Sequence, residues 1–148
     1  MNLAPSGIDL KLRLTLREGT VYYFTERTLT SAAPHYFIVV NSDPLTQQVL
    51  LLSVVTSKVQ EVKSRRADCL ATVVQISPKD FDVLTKLSIV DCNSVKTIPL
   101  AEFNERFVRN EIRCFDKDLP LVLRKALRRA IHASNILADE LKALVAQS

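Results

Sequence analysis

The sequence has little glycine, no tryptophan and no long apolar run. Its two glycines, Gly7 and Gly19, cannot form a glycine-rich loop that cradles a phosphate, which excludes nucleotide-binding motifs of that kind. No apolar stretch approaches the ~20 residues that a helix needs to span a bilayer, so we expect no membrane association. Residues 1–7 do not combine a basic stretch with an apolar one, and we therefore expect no signal peptide.

Cysteine is also scarce. Cys69, Cys92 and Cys114 are odd in number and widely spaced, and no Cys-x-x-Cys pair occurs. We therefore expect neither a disulfide framework nor a metal site or other cofactor, and we predict a reducing, cytoplasmic location. Cys92 lies within an apolar strand pattern and is predicted to be an inert core thiol.

The overall composition is that of a globular protein. The chain of 148 residues is long enough for one domain, 1–148, with a real core. Apolar residues make up 47% and charged residues 24%, as in ordinary globular domains. The net charge of +4 permits an anionic partner, but a simple solubility surplus explains it equally well.

Two apolar runs rich in β-branched residues, 34–41 and 49–58, flank a short polar turn. Their near-continuous hydrophobicity predicts two buried strands, which the turn would make antiparallel neighbours. Polar side chains occupy the ends that would then meet at one rim of the sheet: His35, Thr56, Ser57 and Lys58. This rim is the candidate site.

The remaining sequence patterns predict a mainly β fold of the α+β class. Unbroken alternation from Ile8 to Leu16 predicts a strand with one wet face. Further strands are predicted at 21–24, 70–76, 87–92 and 94–98, a short helix from Ser77, and a helix at 99–107. Apolar residues at three- and four-residue spacing predict one long amphipathic C-terminal helix, 119–146.

The C-terminal helix carries basic residues on the side opposite its apolar stripe. They are Arg124, Lys125, Arg128, Arg129 and His132. A solvated helix face and a surface for RNA or an acidic partner both explain this pattern.

Four segments in order carry a family resemblance: Gly19-Thr20-Val21-Tyr22-Tyr23-Phe24, His35-Tyr36-Phe37-Ile38-Val39-Val40-Asn41, Leu52-Ser53-Val54-Val55-Thr56-Ser57-Lys58 and Val90-Asp91-Cys92-Asn93-Ser94-Val95-Lys96-Thr97-Ile98. Their order and spacing resemble the MazF/PemK/Kid family of toxin ribonucleases, whose SH3-like barrel is shared with the gyrase poison CcdB. The resemblance covers about residues 19–107 and implies a small antiparallel SH3-like barrel, whose core, with the preceding predicted strand, we expect at 8–107. It also implies a homodimer, an acidic antitoxin-like partner and metal-independent cleavage of single-stranded RNA by the RNA's own 2′-hydroxyl.

The resemblance also suggests roles for individual residues. Thr56 matches the family's strand-end threonine and would hydrogen-bond the phosphate, and His35 replaces the family's arginine. Because histidine exchanges protons near neutral pH, we interpret His35 and Thr56 as the catalytic pair. Asn93 stands where the family has an aspartate and cannot act as a base, and Asp91 stands where some members have an arginine.

Further residues are candidates for binding the substrate: Arg27, Ser57, Lys58, Arg65, Arg66 and Asn93. Either Tyr22 or Tyr23 would also face the groove and stack on a base, because neighbouring strand residues point to opposite faces. Ordinary structural roles remain open for all of these residues, and Asp91 and Asn93 would then organise the turn around Cys92. The alternative function is a non-catalytic module of the same fold that binds RNA or an antitoxin-like peptide, and a CcdB-like gyrase inhibitor is the third.

Overall fold

The computed structural model of the chain describes residues 7–27, 29 and 33–147. Residues 1–6, which underlie the expectation of no signal peptide, lie outside the described residues. The strands are β1 Val21–Phe24, β2 His35–Val39, β3 Val49–Thr56, β4 Val73–Ile76, β5 Ser88–Asp91, β6 Lys96–Pro99 and β7 Arg113–Cys114. The helices are α1 Leu10–Thr15, α2 Pro44–Gln47, α3 Val59–Arg65, α4 Leu100–Val108, α5 Leu121–Ala133 and α6 Asp139–Lys142.

All seven strands form one antiparallel sheet in the order β4-β5-β3-β2-β1-β7, with β6 also paired to β3. β3 organises this sheet: β2 pairs along one edge, while β6 and β5 follow each other along the other. The mainly β fold class is therefore confirmed. The arrangement is that of a small barrel-like fold, and the strand pairs of the described residues leave the sheet unclosed between β4 and β7.

Each face of the sheet has its own apolar core. One core contains Val21, Val55, Leu127 and Ile131 and reaches Val145 in the C-terminal segment, so α5 and that segment cover this face. The other contains Leu12 and Phe103, so α1 and α4 cover the opposite face. None of the helices in the described part of the chain is long and apolar enough to cross a membrane.

The segment 8–16 contains the helix α1, Leu10–Thr15, and the prediction of a strand there was wrong. The Asp9 carboxylate accepts hydrogen bonds from the backbone N–H groups of Lys11 and Leu12, at 3.1 and 3.4 Å, and so caps the N-terminus of α1. Ile8, Leu12 and Leu16, four residues apart, are buried on one helix face. The intervening Leu10 and Leu14 are 59% and 68% exposed. Every second apolar residue of an alternating pattern is four positions from the last, which is close to the repeat of a helix. Only the apolar residues with that spacing are buried here.

The predicted helix at Ser77 is also absent. Ser77 Oγ does accept a hydrogen bond from the Asp80 backbone N–H at 3.3 Å, but residues 78–80 form only a turn. Ile76 and Ser88 pair across the neighbouring strands β4 and β5, so the intervening segment must return within a hairpin connection. The predicted strand over 70–76 is likewise shorter, since Leu70–Thr72 form a 3₁₀ turn before β4.

The long C-terminal helix predicted for 119–146 is two helices, α5 and α6. Ser134 ends α5, and its hydroxyl oxygen accepts hydrogen bonds from the N–H groups of Ile136 and Leu137 at 3.1 and 3.2 Å. These local bonds turn the chain out of the helix. The apolar residues beyond the break still pack on the same core: Leu137, Leu141, Leu144 and Val145. The carbonyl oxygen of Leu144 accepts hydrogen bonds from Ser42 and Gln47, which ties this segment to the β2–β3 connection.

The basic residues of α5 divide into two groups. Arg128 makes two hydrogen bonds to the Glu18 carboxylate, at 2.6 and 2.7 Å, and Arg124 lies 3.7 Å from it. These two arginines therefore anchor α5 to the turn that joins α1 and β1. Gly19 in this turn has φ +94°, and a Cβ there would lie 2.6 Å from Cδ of Arg124. Lys125 and Arg129 are exposed and remain a candidate surface for a partner.

Candidate functional site: a cationic cleft at the rim of the sheet

The register of the sheet determines the geometry of the candidate site. Tyr36 of β2 lies opposite Val55 of β3, and the same register extended by one residue sets His35 opposite Thr56. A cleft of about 770 Å³ opens at this rim, and its lining includes His35, Thr56, Ser57, Lys58 and Arg65. The structure therefore brings together five of the eight residues proposed from sequence for catalysis and binding.

The charged side chains that line the cleft are all basic, although Asp91 contacts one of them, Arg65. Lys58, Arg65 and Lys86 line it together with His35, and none of its described lining residues is an aspartate or glutamate. Hydroxyl groups of Thr56, Ser57, Thr85 and Ser94 add further hydrogen-bond donors, whereas the Ser88 hydroxyl donates to the carbonyl oxygen of Lys86. A cleft with this lining suits an anionic ligand that accepts hydrogen bonds.

His35 has an unusual hydrogen-bond status. Its Nδ1 atom is buried and has no hydrogen-bond partner within the described part of the chain. The ring of Phe37 lies 6.5 Å away, edge to face. Buried polar atoms are nearly always paired, so this nitrogen calls for a partner such as a ligand or a water; the buried hydroxyls of Tyr22 and Ser53 likewise have no partner among the described residues.

Thr56 is held in a fixed local geometry at the end of β3. Its Oγ1 accepts a hydrogen bond from the backbone N–H of Lys58 at 3.2 Å, which turns the chain into α3. The hydroxyl hydrogen can still be donated to a ligand in the cleft. Ser57 and Lys58 follow on the exposed side of this turn.

Arg65 and Arg66 share the carboxylate of Asp91 but lie in different surroundings. Nη2 of Arg65 is 3.3 Å from Asp91 Oδ2, and Nε of Arg66 is 3.1 Å from the same oxygen. The Arg65 side chain is 55% exposed and lines the cleft, whereas that of Arg66 is 20% exposed and is not among the lining residues. Burial alone would raise the pKa of Asp91, but hydrogen bonds from Asn93 and Arg66 and the charge of Arg66 outweigh it and lower that pKa.

Asn93 lies outside the cleft in a buried polar network. Its Nδ2 donates to Thr72 Oγ1 at 2.7 Å and to Asp91 Oδ1 at 2.9 Å, and its Oδ1 accepts from Ser134 Oγ at 2.7 Å. The structure thus assigns Asn93 to the support of the turn around Cys92, the role that the sequence left open. Cys92 itself is fully buried, and burial raises the pKa of its thiol, as expected for an inert core residue. Arg27 is exposed and does not line the cleft.

The two neighbouring tyrosines separate as strand geometry requires. Tyr22 is fully buried, while Tyr23 lines the cleft beside Tyr36, with ring centroids 4.8 Å apart.

Sequence reasoning missed Lys86 and Thr85, which precede β5 and line the cleft. They could have been found from the predicted pairing of strands. Because Thr56 pairs with Ile89 in an antiparallel register, the residues just before β5 lie at the same rim as Thr56. Among the described residues, no group of three or more His, Cys, Asp or Glu side chains could hold a metal ion.

Comparison with known proteins gives a likeness of fold. No protein-family model and no curated protein sequence matches the chain. A solved structure described as an endoribonuclease in complex with its cognate antitoxin, from a mycobacterial species, matches with a TM-score of 0.51 and 14% sequence identity. The match covers 78% of this chain and 90% of that one. The chain therefore shares its fold with an endoribonuclease that binds an antitoxin.

Proposed function

We propose that the protein is a MazF/PemK-like, toxin-type endoribonuclease that cleaves single-stranded RNA without a metal ion. The observation that carries this proposal is the cleft without carboxylates, in which His35 and Thr56 adjoin Lys58, Arg65 and Lys86. RNA is a polyanion, and its cleavage needs a proton-transfer group beside donors for the phosphate. The fold shared with an endoribonuclease adds independent support.

In this mechanism the RNA supplies its own nucleophile. The neutral imidazole of His35 accepts the proton of a 2′-hydroxyl, and the resulting oxygen attacks the adjacent phosphorus. The bond from phosphorus to the 5′-oxygen breaks, and the imidazolium returns the proton to that leaving oxygen. Thr56 Oγ1 and the cationic side chains donate hydrogen bonds to the phosphate oxygens as charge develops on them. The products are a 2′,3′-cyclic phosphate and a 5′-hydroxyl.

The direct test uses purified protein and mixed single-stranded RNA, with analysis of the product ends. Cleavage should leave 2′,3′-cyclic phosphates, persist in EDTA and depend on pH, because His35 must be neutral to accept a proton and charged to return it. His35→Ala should lower the rate by roughly 10²–10⁴-fold, the usual contribution of a general acid–base group. His132→Ala is the matched control, because His132 lies on α5 against the carbonyl oxygens of Val145 and Ala146. Equal rates for His35→Ala and wild type would refute the mechanism.

Thr56 permits a second matched pair. Thr56→Val keeps the β-branched shape but removes both the donor to the phosphate and the acceptor of the Lys58 N–H, and it should slow cleavage. Thr97→Val, on β6 and outside the cleft, is the corresponding control and should cleave at the wild-type rate.

RNA binding is tested separately from cleavage. If Lys58 and Lys86 contact phosphates, affinity should fall steeply with salt, and Lys58→Glu should weaken binding to all sequences alike. Lys125→Glu on α5 reports on the alternative basic surface. A loss of affinity in Lys125→Glu but not in Lys58→Glu would place the RNA on the helix instead of in the cleft.

The non-catalytic module is the second candidate, and one observation favours it. Asn93, at the position where the resembled family has an aspartate, is fully engaged in structural hydrogen bonds, so that acidic group has no counterpart here. Such a module would bind RNA or an acidic antitoxin-like peptide in the same cationic cleft. Retained binding with intact RNA would identify it.

The homodimer stays a prediction. It rests on the family resemblance, because the segment 8–16 contains the helix α1 and offers no strand edge to a second copy. Light scattering at tens of micromolar protein decides between monomer and dimer.

A further inference from the structure

A single carboxylate connects the cleft to the buried interior. Asp91 ends β5, and its two oxygens face Arg65 and Arg66 at the end of α3. The same carboxylate accepts hydrogen bonds from the backbone N–H and the Nδ2 of Asn93, at 3.1 and 2.9 Å. Asp91 thus meets four nitrogen atoms from three residues.

The interior side of this cluster is rigidly supported. Asn93 is itself fixed by Thr72, in the 3₁₀ turn before β4, and by Ser134, at the end of α5. Both of these bonds are 2.7 Å long and buried. The position of the Asp91 carboxylate is therefore determined by three separate segments of the fold.

The exterior side of the cluster is Arg65. Its guanidinium lies at the cleft and gives Asp91 only the Nη2 contact at 3.3 Å. A guanidinium has five N–H donors, so most of them remain available for a ligand. A free arginine would lose side-chain entropy when a phosphate fixes it, whereas an arginine already held by a carboxylate loses less.

We propose that Asp91 is a positioning residue that holds Arg65 at the edge of the cleft in the orientation that binds an RNA phosphate. This inference rests on the proposed function, because it takes RNA as the ligand. Asp91 does not touch the substrate. It acts through Arg65, and it offsets part of the positive charge of the cleft while it does so.

The proposal is testable because loss of Asp91 should have opposite effects on two quantities: the lost orientation of Arg65 lowers kcat, while the lost negative charge strengthens RNA binding. Asp91→Asn keeps an oxygen that can accept from Asn93 but removes the charge that holds the guanidinium. Cleavage by Asp91→Asn should show a kcat lowered by about tenfold with KM unchanged or lower, because the loss of orientation affects the transition state while the removed negative charge favours RNA binding. A purely structural role would instead lower stability without this division between kcat and KM.

A double variant decides whether the effect passes through Arg65. If it does, Arg65→Gln/Asp91→Asn should cleave no more slowly than Arg65→Gln alone. Additive losses would overturn the proposal. Glu18→Gln, which breaks an ion pair on α5 away from the cleft, controls for general destabilisation and should keep the wild-type kcat.

A measurement without RNA separates this inference from the proposed function. Nuclear magnetic resonance of the Arg65 side-chain Nε–H should show an ordered group in wild type and a mobile one in Asp91→Asn. Equal order in both overturns the inference even if wild type cleaves RNA. If wild type binds RNA without cleaving it, the proposed function fails. The inference then stands only if Asp91→Asn makes the Arg65 side chain mobile and removes the shift of the Arg65 resonance that wild type shows when RNA is added. If wild type binds no RNA, both fail.

Discussion

Replacing Leu12 with alanine should destabilise the protein far more than replacing Leu14, although the two leucines occupy equivalent places in an alternating sequence. In α1 they lie on opposite helix faces. Leu12 is fully buried against the core that includes Phe103, while Leu14 is 68% exposed. In a strand, both side chains would have pointed to the same face, and the two substitutions would have similar effects.

The expected magnitudes follow from these burials. Truncation of a fully buried leucine costs about 2–5 kcal/mol, since apolar contacts are lost and a cavity is left. We expect about 3 kcal/mol for Leu12→Ala, because α1 is a short helix that can partly close the cavity. Leu14→Ala should change the free energy of unfolding by less than about 0.5 kcal/mol. In a chain of this size, the first change corresponds to a Tm lower by roughly 6–12 °C.

The assay is urea unfolding followed by circular dichroism, with both variants and wild type measured side by side. Asp9→Ala gives an additional check, because loss of a helix N-cap costs about 0.5–2 kcal/mol. Equal destabilisation by Leu12→Ala and Leu14→Ala would refute the helical assignment of this segment.

Three further predictions concern charges and thiols. Glu18→Gln should destabilise the protein by about 1–3 kcal/mol in urea unfolding, because Arg128 loses a charged partner in a largely buried pair. The pKa of Asp91 is lowered on folding, so its stabilising contribution is present above its ordinary pKa and lost as pH falls through the lowered value. Asp91→Asn should therefore lose less stability than wild type as the pH falls below about 4, measured by thermal unfolding across pH. Iodoacetamide should label Cys69 in the folded protein and leave Cys92 unlabelled by mass spectrometry, because Cys92 is buried and its pKa is raised.

The strands around the cleft could be predicted from sequence because their signals are local. Apolar runs rich in β-branched residues gave β2 and β3, and the turn between them made the strands antiparallel. That topology alone was enough to bring His35 beside Thr56. The segment 8–16 was predicted as a strand because its signal is ambiguous. An alternating pattern also contains residues spaced four apart, as on one face of a helix, and only the tertiary contacts decide which of them are buried.

Long-range contacts account for the other differences. The end of α5 depends on Ser134, whose hydroxyl bonds to an asparagine 41 residues earlier, and no pattern within the helix reveals that partner. Arg65 and Arg66 look alike in sequence, yet only Arg65 lines the cleft. Both contact Asp91, 25 or more residues away along the chain, and only the tertiary structure shows which of them lines the cleft.

The contact between the β2–β3 connection and the segment around Leu144 has a consequence for the order of folding. Val21 and Val145 belong to one core, and the carbonyl oxygen of Leu144 completes the hydrogen bonding of Ser42 and Gln47. During synthesis, strands β1 to β3 therefore emerge long before the residues that cover one of their faces. That face stays partly exposed until both α5 and the segment around Val145 have been synthesised, and exposed apolar surface makes a nascent chain prone to aggregation.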